Sequence, residues 1–420
     1  VYCVKRKIGP FLALGLALVL TQAILARSAE APRVAWAGTD QNASRLILVG
    51  QVGGAMSDAL WIGNLAYVAQ GTRVICLDLT DPGGPRLVNR GPLLPDAVID
   101  LVAWRDGLAV ALMYRQGLAV LDLNRPGDPR LVGLSEPLPL GQSAQALAVS
   151  GNLALLAGPS EVTAYDLVDL RRPKLRGQLR VDTPCNSLGL KGNEALCVGS
   201  RGVETYDLSQ PAQPRLKRQE VLPDSGSSLW VEGALAYVGG GSSLMVLHWQ
   251  PPQAPRLIQQ VSIDSGIGVQ DLQLGAGRLL AAGQTQLAVF DLTVPDQPRL
   301  LGSHGITDTT SFNWGPVGIA SRDDELLWLH PMLGLRLFDI ALPQRIREIG
   351  SWSELSTAGT ATFGAMGHGM VVSWWERASE LQIWDLLRPS SMRQLGRTLI
   401  KASESPAEGV TERLIGVVGA

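Results

Sequence analysis

The sequence predicts an all-β fold: a propeller of four-stranded antiparallel blades after an N-terminal signal or anchor segment. Eight blades are expected, with seven blades and an extra packed unit as the alternative. Three observations lead there. A strand-and-turn motif recurs eight times, the strands are joined by Gly- and Asn-rich tight turns, and no helical period competes beyond residue 30. With 47 Gly, 26 Pro and 5% aromatic residues, the chain is built for many turns and short strands. Hydrophobic residues make up 46% of its 420 positions and charged residues 18%, which suits a chain with a sizeable core.

In chain order, residues 1–29 read as a targeting segment. The basic "VKRK" precedes the apolar, uncharged "IGPFLALGLALVLTQAILA" (8–26) and small residues suited to cleavage after Ser28. The alternative is an uncleaved anchor, since the apolar run is long enough to span a bilayer. Either way the body is expected outside the cytosol, in the periplasm or cell envelope, touching membrane only through an uncleaved leader. Residues 30–43 and the "KASESPAEGV" stretch (401–410) read as linkers. The propeller is assigned to 44–400, and 401–420 to a tail whose "TERLIGVVG" (411–419) could be a latch strand. "SRLILVGQV" (44–52) and "MRQLGRTLI" (392–400) are the other candidates to close the ring.

Each repeat turns on an apolar alternating strand that ends in Asp, followed eight positions later by a basic residue. The strands are "VICLD", "LAVLD", "VTAYD", "VETYD", "LMVLH", "LAVFD", "LRLFD" and "LQIWD", ending at Asp78, Asp122, Asp166, Asp207, His248, Asp291, Asp339 and Asp385. The basic partners are Arg86, Arg130, Lys174, Arg215, Arg256, Arg299, Arg347 and Arg393. Before each marker come two apolar runs joined by a Gly-Asn-type hairpin turn, and after it a more polar strand such as "PRLVG". Such a meander cannot bury both faces alone, but units arranged around an axis can. The marker Asp is expected to cap the turn through backbone amides, a structural role.

Strings such as "LAYVAQGTRVICLDLTDPGGPRLV", with the core "LxVxDLxxPxxPRLxG", resemble the LVIVD repeat family of exported proteins. The resemblance covers roughly residues 45–400. It departs at His248-Trp249, where the pattern has Asp-Leu, and weakens in the last two units. It implies a β-propeller, export and a binding role, and it implies no catalytic residue.

Function in such a fold is expected on loops at one end of the axis. Turns between second and third strands, together with connections between blades, should share that face. They carry Tyr114, Arg115, Arg201, His304, Trp314, His330, Trp374, Trp375, Glu376 and Arg377, the candidate binding residues. Paired Trp beside charge suits a partner or ligand contact, and packing between blades is the plainer alternative. His304, His330 and Asp308 are the nearest approach to a metal set, but no metal site, cofactor or catalytic residue is assigned.

The expected function is therefore an exported, monomeric, non-enzymatic scaffold that binds a protein, peptide or glycan. The alternative is a propeller hydrolase or lyase, metal-dependent or not, with acids from several blades at the axial channel. The loop acids Asp96, Asp182, Asp224, Asp264 and Asp308 are its candidates, and they are also ordinary turn residues. Without the leader, 32 basic residues face 38 acidic ones. That balance argues against duplex nucleic acid, whose binding needs a basic face. Cys185 and Cys197 flank a hairpin in which Cys197 should face Leu188, so they are expected to stay free beside Cys76.

Overall fold

The computed structural model describes residues 56–139, 142–263, 268–283, 285–305, 317–330, 334–353 and, as backbone only, the strands between 361 and 399. The leader, the linkers, "SRLILVGQV" and "TERLIGVVG" lie outside them.

Eight four-stranded antiparallel sheets form, each from four consecutive strands. Blade one runs Met56–Ile62, Leu65–Gln70, Arg73–Asp78 and Arg86–Asn89. The first strand of each blade lies innermost. In the later blades these are Val98–Ala103, Ala146–Ser150, Ser187–Lys191, Gly226–Glu232, Asp271–Gly275 and Gly318–Arg322. Met56–Ile62 packs directly on both Val98–Ala103 and Gly318–Arg322, so the ring closes with seven blades.

That corrects the expected count of eight, and side-chain packing gives the reason. Successive residues of a strand point to opposite faces. Tyr67, Val74 and Cys76 of blade one pack with Leu101, Ala111 and Leu121 of blade two. Val68, Ile75 and Leu77 on the other face pack with Leu327, Leu329 and Leu337 of blade seven. Both faces of blade one are thus covered by blades two and seven, and burying side chains of this size stabilises by about 1.5–3 kcal/mol each. The closure also has a polar lock. Arg322 of blade seven donates to Gly63 O and Asn64 Oδ1 of blade one, both at 2.8 Å, with its guanidinium 4.8 Å from the Trp61 ring centroid.

The eighth sheet is Ala361–Gly367, Met370–Trp375, Glu380–Asp385 and Arg393–Leu399. It is complete in itself and does not belong to the compact unit formed by residues 53–357. "MRQLGRTLI" therefore supplies the fourth strand of this sheet and closes nothing in the ring.

The repeat motif is explained by what touches it. The marker Asp and its basic partner stand opposite each other in register, as in Asp78 with Arg86 and Asp339 with Arg347. The Asp carboxylate accepts the amide two residues on: Thr80, Asn124, Val168, Ser209, Thr293 and Ala341 donate to Asp78, Asp122, Asp166, Asp207, Asp291 and Asp339. Those bonds hold each of these carboxyls below its ordinary value, with desolvation opposing and, at Asp166, the largest contribution. Asp385 falls among residues whose side chains are not described. In blade five, Trp249 fills the Leu slot and is fully buried.

The Gly of "PRLxG" is required by close approach. A Cβ on Gly302 would meet Pro343 O of the next blade at 1.9 Å, and one on Gly350 would meet Pro82 O of blade one at 1.7 Å. The latter contact crosses the closing seam.

Cys185 and Cys197 form a disulfide with a Cα separation of 5.7 Å, which corrects the expectation of free thiols. Leu188 does pair with Cys197 as anticipated. Cys185, however, precedes the strand, on a connection that folds back along it: Asn186 N donates to Val198 O at 2.8 Å. Its side chain therefore reaches Cys197 diagonally. Cys76 is a buried free thiol.

Candidate functional site

The predicted loop face exists. Connections between blades are tied to the second-to-third-strand turns of the blades they lead from and into. Val98 N donates to Gly71 O at 2.8 Å and Leu94 N to Thr72 O at 2.9 Å. Two of the loop acids make such ties. Asp96 accepts Ala97 N and Arg115 N, both at 2.8 Å. Asp224 accepts Ser225 N, Ser242 N and the hydroxyls of Ser242 and Ser243. These carboxylates hold loops in place. Asp264 and Asp308 lie outside the described residues.

Tyr114 and Arg115 sit on this face, in the turn after Leu108–Met113. Both peptide units are fully used. Tyr114 N donates to Ala97 O, Arg115 N to Asp96, and the two carbonyls accept Ala144 N and Leu138 N. The side chains remain free, with Tyr114 42% exposed and the Arg115 guanidinium 5.2 Å from its ring centroid. Arg201 is exposed in the corresponding turn of blade four. It edges a shallow pocket with Thr183, Pro184, Cys197 and Glu204. Glu204 is buried there, accepting the Thr183 hydroxyl at 2.7 Å and the Tyr206 hydroxyl. Burial, then Glu204, pushes the Tyr206 phenol far up.

The other predicted residues do not gather with these. His304 lies in the fourth strand Arg299–Gly305, not on the long connection, and packs on Phe338 at 5.2 Å between ring centroids. His330 is only 5% exposed and lies edge-on to Trp328. Both serve packing at this rim. Trp374 and Trp375 end the strand Met370–Trp375 of the eighth sheet rather than occupying a ring loop. Trp314, Glu376 and Arg377 fall outside the described residues. Among the described residues, no group of three or more His, Cys, Asp or Glu is placed to hold a metal ion.

The axis holds a cluster that the loop-based reading missed. Asp58, Asp100 and Asp271 occupy one register position of the innermost strands, opposite Ala69, Leu112 and Ala282 of their second strands. The same position in the other four blades holds Ala146, Ser187, Ser228 and Gly318. Each Asp accepts an amide from the next blade's inner strand: Leu101 N to Asp58 at 2.7 Å, Leu147 N to Asp100 at 2.9 Å and Ile319 N to Asp271 at 2.8 Å.

The charges of these three carboxyls influence one another although blades two and six are not neighbours. Burial raises Asp58 well above the ordinary carboxylate value, and the charges of Asp100 and Asp271 raise it further. Asp100 is raised by burial, against the opposing influence of Asp58 and of the backbone amides of Leu147 and Leu101. Asp271 is pushed up to about 7, first by burial and then by Asp100. All three side chains are only partly accessible to solvent, yet protein surrounds them. The signal in the sequence was an Asp within the first apolar run, 11 or 12 residues ahead of its second-strand partner, in three of seven repeats.

No protein-family model matches the chain, and no curated protein sequence matches it. Solved structures share its fold. One is a functionally unknown protein from Desulfotomaculum acetoxidans, with TM-score 0.53, 14% identity, and coverage of 67% of this chain and 96% of that one. Another is a candidate 6-phosphogluconolactonase from Bacteroides fragilis, with TM-score 0.54, 12% identity, and coverage of 70% and 92%. A third is PorZ, an essential surface component of the type-IX secretion system of Porphyromonas gingivalis. Its TM-score is 0.51 and identity 12%, over 82% of this chain and 46% of that one. At these identities the likeness concerns the fold.

Proposed function

We propose that this chain is a binding scaffold that works in the periplasm or cell envelope and holds a protein or peptide partner on its loop face. One observation carries the reading. The Tyr114–Arg115 turn has all four backbone polar groups occupied while its two side chains stand free. Tyr and Arg are the residues most often dominant in interfaces, and a pre-ordered pair loses little entropy on binding. The Cys185–Cys197 disulfide and the apolar leader support an oxidising compartment. Resemblance to the LVIVD repeat supports the same assignment. The test places a photo-crosslinking residue at Gln116, beside the pair, in its native cell envelope. A single adduct that disappears when Tyr114→Ala and Arg115→Ala are combined supports the reading. No adduct, or an unchanged one, refutes it.

A second reading is an enzyme that uses the axial acids. The observation favouring it is the placement of Asp58, Asp100 and Asp271 at one register position of the innermost strands with all three carboxyls raised, since general acids and bases need such displaced values. Screening esters, lactones and glycosides with the natural chain and an Asp100→Asn variant tests it. Turnover abolished in the variant would establish an axial active site.

A further inference from the structure

A pocket beside the Tyr114–Arg115 turn has an unanswered need for hydrogen-bond donors. It is lined by Leu138, Gln142 and Ala144 from the connection between blades two and three, and by Leu156, Glu161 and Thr163 from blade three. Leu138 N and Ala144 N are the groups that bond the carbonyls of Arg115 and Tyr114, so the pocket and the turn are parts of one rigid surface.

Two acceptors in the pocket wall, Glu161 Oε2 and Gln142 Oε1, are buried and have no hydrogen-bond partner among the described residues. Orphaned buried acceptors are uncommon and costly, more so when charged. The lining contains one carboxylate and no basic residue. Arg180 stands opposite Glu161 in register, but its side chain is exposed and makes no ion pair with it. The enclosed space is about 10 Å3. That is far below the roughly 300–1,000 Å3 of small-molecule sites, and it has room for a single group no larger than a water molecule.

A group of that size, carrying several donors and a positive charge, is an ammonium. We propose that the pocket seats a primary ammonium group of a peptide partner, either a lysine side chain or a free chain N-terminus. The proposal rests on the partner-binding reading above. The apolar Leu138 and Leu156 would flank the carbon stem, and Tyr114 and Arg115 would contact the residues on either side.

The experiment titrates the full isotope-labelled chain with three probes and follows backbone amides of residues 142–144 and 158–163. Nα-acetyl-lysine amide offers only a side-chain ammonium, alanine amide only an α-ammonium, and Nα,Nε-diacetyl-lysine amide offers neither. Saturable shifts from an ammonium probe and none from the diacetyl probe are expected, and the probe that binds identifies the source. Glu161→Gln should weaken that binding by about tenfold or more, and Gln142→Leu serves if that variant does not fold. Equal binding of the neutral probe, a pocket that answers to no ammonium, or full affinity in the variants overturns the inference in favour of ordered water. Loss of the Tyr114 adduct experiment with ammonium binding intact removes only the earlier reading. An intact adduct without ammonium binding removes only this one.

Discussion

Asp58 of the first blade accepts Leu101 N of the second at 2.7 Å, and Asp100 of the second accepts Leu147 N of the third at 2.9 Å, so two aspartates at one register position each tie an inner strand to the next. The inner strands are therefore stitched by carboxyl groups that burial holds above the ordinary carboxylate value. Because burial disfavours their charged forms, these carboxyls stabilise the ring most when they are protonated.

The pH dependence follows in sign. Asp58, Asp100 and Asp271 are all raised in the folded chain, Asp271 to about 7, against an unfolded value near 4. Between those values the folded ring binds more protons than the unfolded chain, so stability falls as pH rises. For Asp271 the contribution is fully present below about pH 4 and is lost as pH rises through about 7. Thermal melts should show a Tm higher at pH 5.5 than at pH 8. Asp100→Asn should flatten that slope and raise Tm at pH 8. A Tm that climbs from pH 5.5 to 8 would contradict the stitching.

The closing seam predicts a steric effect. Gly350→Ala forces a methyl group against Pro82 O and should destabilise by about 1–3 kcal/mol or more. Gly305→Ala places its methyl at ordinary contact distances, the nearest atom being 3.6 Å away, and should be close to neutral. Denaturant melts of the two variants compare a seam glycine with a rim glycine directly.

Seven blades that cover both faces of blade one predict that the ring folds alone. A chain of residues 53–357 should melt cooperatively with the β-rich circular dichroism of the full chain. Aggregation or a non-cooperative transition would mean that the ring needs the remaining residues.

The disulfide predicts a chemical result. Alkylation of the denatured, unreduced protein should leave Cys185 and Cys197 unmodified while labelling Cys76. Joint replacement of the pair by serine should cost on the order of 2–3 kcal/mol for a loop of this length.

Local pattern made most of the fold legible. Strand type, the four-strand meander, the Asp-capped turn and the polar fourth strand all follow from residues close together in the chain, where period-two alternation and turn chemistry act directly. The loop face was legible for Tyr114, Arg115 and Arg201, because they lie in short turns whose position follows from the hairpin. His304 and His330 misled, since one to three residues of strand extension move a side chain from a loop into a blade.

What the sequence determined by itself was the unit and its local bonds. Only tertiary structure decided how many units close, because an eighth repeat with the same motif forms the same sheet whether or not a ring has room for it. The count depends on which face of Val68 and Ile75 meets Leu327 and Leu337, more than 250 residues away. The axial trio was decided at the same level. Asp58, Asp100 and Asp271 are unremarkable polar residues in three separate strands, and their influence on one another arises only when closure brings one register position from three blades around a common axis.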